Sequence, residues 1–230
     1  MSLLLLIETA TTSCSVALAH NGQTIALREI DQRNIHAEVI TVYIDEVLRE
    51  TNKQFVDLDA VAVSSGPGSY TGLRIGVSTA KGLCFSLDKP LITIETLSAM
   101  AHGFINRGGI KITDSTLLCP MIDARRMEVY TALFDSMGNE LKPTSAEIID
   151  ESSFADILNK KKIIFFGDGA PKCNDTLANQ PNAVFAESFV NSARDLLVPA
   201  IQKLNNKAFA DVAYFEPYYL KDFIAGVKKQ

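Results

Sequence analysis

VAVSSGPGSYTGLRIGVSTAKGLCFSLDKPLITIET, residues 61–96, carries more structural information than any other stretch of the chain. Val61 to Ser65 reads as a buried strand, Gly66 to Thr71 as a loop that uses glycine's torsional freedom, and Gly72 to Leu87 as a helix. Strand, glycine-rich loop and helix in that order build the geometry of an anion site, because a helix N-terminus presents unpaired N–H groups and the positive end of a dipole. Gly66, Gly68 and Ser69 are therefore candidate anion ligands, or else a tight strand-to-helix turn. The nucleotide motifs do not decide between these readings. A Walker loop requires Gly-Lys where Gly72-Leu73 stands, and Thr71 occupies the place of the third glycine of a dinucleotide fingerprint.

Within the helix, Gly72, Gly76, Thr79 and Leu83 fall on one stripe, and Leu73, Val77, Ala80, Cys84 and Leu87 on another. An interior glycine costs about 1 kcal/mol relative to alanine. Gly76 and Gly82 thus imply that another backbone comes close, from the same domain or from a second protein.

Outward from this stretch, Leu3 to Glu8 predicts a first buried strand and Ser15 to Ala19 a second. The hydroxyl-rich turn Thr9, Ala10, Thr11, Thr12, Ser13 between them either wraps an anion or satisfies itself. Asn21-Gly22 is a hairpin signal leading to a third strand, Gln23 to Asp31. Asn34 to Glu50 predicts a helix capped by Asn34, whose apolar positions, Ile35, Val39 and Tyr43 among them, spread over roughly 240° and call for cover on more than one side. Pro90 to Ile94 reads as a strand, Thr96 to Phe104 as a helix, and Arg107-Gly108-Gly109 as a break. A second round of strands is expected at Thr116 to Ile122, Met127 to Phe134, Ser145 to Ile149 and Ile163 to Phe166. The last runs into Gly167-Asp168-Gly169, a second glycine turn that mirrors the first. Ser152 to Leu158 reads as a short helix and Ser192 to Asn205 as a helix kinked at Pro199. This gives an α/β protein of two domains, 1–106 and 107–230, with an apolar tail from about residue 212 that docks back on the first domain.

The 230 residues carry a net charge of -5, and the longest basic run is Lys160-Lys161-Lys162, which argues against a chain that grips nucleic acid by itself. Four scattered cysteines and three scattered histidines make neither a disulfide frame nor a metal site. The apolar run at Leu3 ends at Glu8 after five residues, too short for a membrane span, so a cytoplasmic protein is expected.

Leu6-Ile7-Glu8-Thr9-Ala10-Thr11, the block Gly66 to Gly76, the run Met121 to Tyr130 and the tail Pro217-Tyr218-Tyr219-Leu220 together resemble the TsaB (YeaZ) family of bacterial tRNA threonylcarbamoyladenosine biosynthesis proteins. The resemblance spans nearly the whole chain. It implies an actin-like, Hsp70-like ATPase (ASKHA, ribonuclease H-like) fold and a non-catalytic partner of the catalytic TsaD (YgjD, Kae1) subunit. Together with the TsaE ATPase, that pair modifies the adenosine beside the anticodon of tRNAs reading codons that start with A. It also implies a four-helix contact between the two proteins, here assigned to Ile35, Val39, Tyr43, Gly72, Ile75, Gly76, Thr79 and Leu83, and a homodimer when the chain is alone. Where the sibling carries two metal-binding histidines, this chain has Thr96 and Met100, so no metal is expected. The sequence assigns no cofactor to the isolated chain and leaves open whether its cleft holds a nucleotide, ATP or ADP in the complex included. The competing reading is an actin-like small-molecule kinase that grips phosphate with Thr9, Thr11, Thr12, Ser13, Gly167, Asp168 and Gly169 and uses Glu8 or Asp123 for magnesium or as a base. A peptidase is a weaker third. Arg125 and Arg126 are read as a hairpin edge or as contacts to a partner or tRNA phosphate.

Overall fold

The computed structural model describes residues 2–221. The chain opens with an antiparallel meander, β1 (Leu3–Glu8), β2 (Ser13–His20) and β3 (Gln23–Asp31), followed by α1 (His36–Glu50), β4 (Ala60–Gly66), α2 (Tyr70–Leu87), β5 (Leu91–Glu95) and α3 (Thr96–Arg107). A second meander follows, β6 (Leu117–Asp123), β7 (Glu128–Phe134) and β8 (Glu140–Ile148), then α4 (Ala155–Leu158), β9 (Ile163–Phe166), α5 (Asn174–Leu177), β10 (Ala183–Ala186) and α6 (Leu197–Asn205). The two sheets have the orders β3-β2-β1-β4-β5 and β10-β9-β6-β7-β8, which are the same pattern read from opposite ends. In each, three antiparallel strands come first and two strands parallel to the first of them extend the other edge. The chain therefore has the two-domain actin-like architecture.

Patterning explains the layers. β1 and β4 are buried on both faces and read as unbroken apolar runs, as expected for central strands covered by helices. On one face Leu5, Ile7, Val61 and Val63 meet Ile40, Ile44 and Val47 of α1 and Val77, Ala80 and Cys84 of α2. Each fully buried aliphatic side chain there contributes about 1.5–3 kcal/mol of gross burial. On the other face Leu4, Leu6, Ala62 and Ile94 meet Ala193, Leu196 and Ala200. The segment from Ala193 onward thus returns to the first sheet, and α6 packs against β5 rather than against the strands that precede it in sequence. α3 faces the second sheet, where Phe104 stacks on Phe166 with ring centroids 4.3 Å apart.

Several local expectations are corrected. Asn34 does not cap α1: it takes a left-handed backbone, φ 61°, and Ile35 fills the cap position without a side-chain bond. α2 begins at Tyr70, because Ser69 caps it by accepting a hydrogen bond from the Gly72 N–H at 3.3 Å. β8 starts at Glu140, directly after the Gly138 turn, since a hairpin pairs its strands from the turn outward. The break expected at Pro199 lies earlier, where a 3-10 turn, Ala193–Leu196, passes into α6. Pro199 sits in the first turn of α6, where a missing N–H costs nothing. β10 and α5 are too short and too mixed in composition to be seen from periodicity.

Candidate functional site

Between the two sheets lies a cleft of about 960 Å³. Its walls come from the β1–β2 turn, the N-terminus of α2, the β6–β7 turn, Asp168 and the chain end at Tyr218–Lys221. These are the loops at the carboxyl ends of the central strands, the usual place for a ligand in such sheets.

Most polar side chains of the β1–β2 turn already hold partners within the protein, the buried Thr9 hydroxyl excepted. Glu8 is buried, and its Oε1 accepts from the Ala10 N–H at 2.6 Å and from the Ser64 hydroxyl at 3.0 Å. Burial pushes the Glu8 carboxyl up to about 7, the hydrogen bonds pulling only partly against it. The Thr9 N–H donates to Ser64 Oγ, the Ser13 N–H to Thr11 Oγ1, the Thr12 hydroxyl to Asp31 and the Ser13 hydroxyl to the Asn191 carbonyl. The ring of His36 donates to the Thr11 carbonyl at 3.0 Å. At the start of α2, the Ser69 N–H donates to the Ala10 carbonyl at 2.6 Å. A phosphate on the hydroxyls of Thr11, Thr12 or Ser13 would have to displace partners already in place.

The glycines of α2 serve the same contact. A Cβ at Gly72 would lie 2.1 Å from the Thr9 carbonyl oxygen, and one at Gly76 would lie 2.2 Å from Thr9 Oγ1. The close backbone expected beside Gly76 and Gly82 is found at neither: Gly76 meets the Thr9 side chain, and it is Gly72 that meets the backbone of the β1–β2 turn. Gly72 and Gly76 are buried against this turn, whereas a Cβ at Gly82 meets nothing within 4 Å. The other residues assigned to a partner contact, Ile35, Val39, Tyr43, Ile75, Thr79 and Leu83, are half-buried and leave an apolar seam along the outside of α1 and α2.

Across the cleft, Gly167 takes φ 98° and its missing Cβ makes room for the Met121 carbonyl, at 2.4 Å from the Cβ position. Asp168 is exposed on the cleft wall, where desolvation by the surrounding protein raises its carboxyl above the usual range, and Oδ1 accepts from the Asp123 N–H at 3.1 Å. Asp123 pairs with Lys172, and Glu128 pairs with Lys221. Thr96 and Met100 are both buried, Met100 against Gly167. His102 packs beside Gly138, and its burial lowers its affinity for a proton. Among the described residues no group of three or more His, Cys, Asp or Glu side chains is placed to hold a metal, and no helix is long and apolar enough to cross a membrane.

The chain end runs along this site. The Ala210 N–H donates to the Leu91 carbonyl, Lys81 donates to the carbonyls of Ala213 and Phe215, and the Tyr218 N–H donates to the Ser65 carbonyl at 2.7 Å. Gly66, at φ 110°, leaves space for the Tyr218 carbonyl, 2.5 Å from where a Cβ would be. The part of the tail after Lys221 lies outside the described residues.

Residues 29–228 match the family model described as TsaD, tRNA N6-adenosine threonylcarbamoyltransferase. Over 98% of its length the chain is 31% identical to the tRNA threonylcarbamoyladenosine biosynthesis protein TsaB of Escherichia coli K12, of which it covers 97%. The chain belongs to the TsaB (YeaZ) family. The crystal structure of YeaZ from Pseudomonas aeruginosa superposes with a TM-score of 0.81 at 26% identity, over 96% of this chain and 100% of that one. The ROK hexokinase of Thermus thermophilus superposes with a TM-score of 0.52 at 10% identity, over 89% and 99%, which speaks to the fold alone.

Sequence reasoning missed Arg33, His36, Arg74 and Lys172 at this site. They come from the loop before α1, from α1, from α2 and from the turn after β9, and no local pattern links them.

Proposed function

We propose that the chain serves in tRNA threonylcarbamoyladenosine biosynthesis as a non-catalytic subunit that binds the TsaD-type transferase, with the TsaE ATPase completing the assembly. The observation that carries the reading is identity to a TsaB protein over 98% of the chain. The chemistry of the cleft supports it. Glu8 turns into the core and Asp123 is held by Lys172, so neither carboxylate considered as a base stands free. The seam along α1 and α2 supports the partner half of the reading. Half-buried Val39, Tyr43, Ile75 and Leu83 lie beside Val42, which is 50% exposed, and such a strip excludes water when a second pair of helices covers it. Alone, the chain pairs with a second copy through the same strip.

The test is threonylcarbamoylation of tRNA by the transferase, the ATPase and the synthase that makes threonylcarbamoyl-AMP, with and without this chain. A Val39→Glu/Leu83→Glu variant accompanies it, its fold checked by melting. Modification that needs the wild-type chain, with a folded variant that neither co-purifies with the transferase nor restores activity, is the expected result. Full modification without the chain would refute the proposal.

A further inference from the structure

Charge gathers in the cleft in a way the net charge of the chain does not foretell. Arg33, from the loop before α1, lines one wall, and Arg125 and Arg126, from the β6–β7 turn, line the other. None of the three has an ion pair among the described residues. Two of the three carboxylates on the same walls are already paired, Asp123 with Lys172 and Glu128 with Lys221, and Asp168 accepts the Asp123 N–H, which leaves three unpaired arginines against one unpaired carboxylate. An acidic chain thus concentrates uncompensated positive charge in one groove.

The two adjacent arginines are held at a cost. Arg125 has φ 70° and Arg126 φ 52°, successive left-handed residues where glycine, asparagine or aspartate is the usual choice. Both side chains are exposed, so packing does not explain them. A strained backbone that keeps two solvent-facing charges at a cleft mouth is the pattern of a functional constraint.

Aromatic rings share the groove. Tyr219 lies against Tyr70, centroids 4.8 Å apart, and the Arg74 guanidinium sits 4.1 Å from the Tyr70 ring centre. Tyr218, 47% exposed, adjoins this wall. Flat rings beside unpaired cations are what unpaired bases and their phosphates require, since every base has a stacking face and every linkage a charge. An acidic peptide would use the arginines and leave the rings without a role. A single nucleotide would not engage arginines on both walls.

We propose that this cleft binds a short single-stranded segment of RNA, with Arg33, Arg125 and Arg126 on phosphates and the Tyr218–Tyr219 wall against bases. The choice of RNA rests on the function proposed above, whereas the cleft's affinity for a single strand does not. The purified full-length chain is titrated against a fluorescent unpaired RNA of about 12 nucleotides at about 50 and 200 mM salt, followed by anisotropy. Saturable binding that weakens with salt is expected. Arg125→Glu/Arg126→Glu should weaken it at least about tenfold and flatten the salt slope by about two. Arg125→Asn/Arg126→Gly should also weaken it while raising the melting temperature, because it relieves the strained turn. That pairing of lost affinity with gained stability separates a binding role from a folding defect. Equal affinity of wild type and the charge-reversed variant, or equal affinity for a fully paired RNA, would overturn the proposal. Preference for a DNA strand would contradict the RNA assignment and leave the transferase-partner reading to its own test, and binding of neither strand would dispose of the site itself.

Discussion

Gly76→Ala is the sharpest perturbation of the contact that organises the first half of the molecule. The added methyl would sit 2.2 Å from Thr9 Oγ1 and 3.3 Å from both Thr9 Cβ and Cγ2, on a side chain that is fully buried. Threonine is stiff at χ1, so the hydroxyl cannot swing clear, and overpacking of this kind costs about 1–3 kcal/mol, here toward the upper end. Alanine recovers about 1 kcal/mol of helix propensity, leaving a net loss of about 2 kcal/mol. At about 2–4 °C per kcal/mol for a chain of this size, the melting temperature should fall by about 4–8 °C. Thr9→Ala alone should be nearly neutral: it removes buried methyl contacts, but also a buried hydroxyl that has no hydrogen-bond partner. In that background Gly76→Ala should cost nothing, or stabilise by up to about 1 kcal/mol, so the cycle closes with a coupling of about 2–3 kcal/mol. Urea unfolding of the four proteins measures it. Additive effects within about 0.5 kcal/mol would mean that Gly76 does not meet Thr9, and the packing account of α2 would fail.

Three further outcomes follow from the same geometry. Because burial raises the folded-state carboxyl of Glu8 from 4.5 to about 7, the folded chain binds the extra proton between those values, so stability is greatest below about pH 4.5 at this site and falls by up to about 3 kcal/mol as pH rises past 7. Glu8→Gln should lose that slope in urea titrations at pH 5 and pH 8, and an unchanged slope would assign it elsewhere. Arg107→Met leaves Asp195, with its side chain 3% exposed, without its bidentate partner and should destabilise by about 3 kcal/mol, with Asp195→Asn in the same chain restoring most of it. Lys81→Met removes the two bonds that hold the carbonyls of Ala213 and Phe215, and faster hydrogen exchange at the Tyr218 amide, with β4 amides unchanged, is the expected readout.

The cores of the strands could be read directly from the chain because a strand covered on both faces leaves an unbroken apolar run and a two-residue turn leaves Asn-Gly. Leu3 to Glu8, Gln23 to Asp31 and Ile163 to Phe166 stand where the pattern puts them. β10 and α5 left no such mark, since four residues make less than one period of evidence. The stripe of Gly72 and Gly76 declared that something comes close, but a missing side chain carries no record of what fills its place. Only the folded β1–β2 turn supplies Thr9 as the neighbour.

Local patterning, family resemblance and a second round of strands were thus written in the sequence, whereas the order of strands within each sheet and the charge of the cleft were not. Arg33, Arg125, Arg126 and Tyr219 are separated by up to 186 positions and share no period or motif, and the net charge of -5 argued against a chain that grips nucleic acid by itself. Charge in solution is felt over about 10 Å whatever the chain separation, so the sign of a groove is fixed by which loops the two sheets bring together, and that is decided only when both are folded.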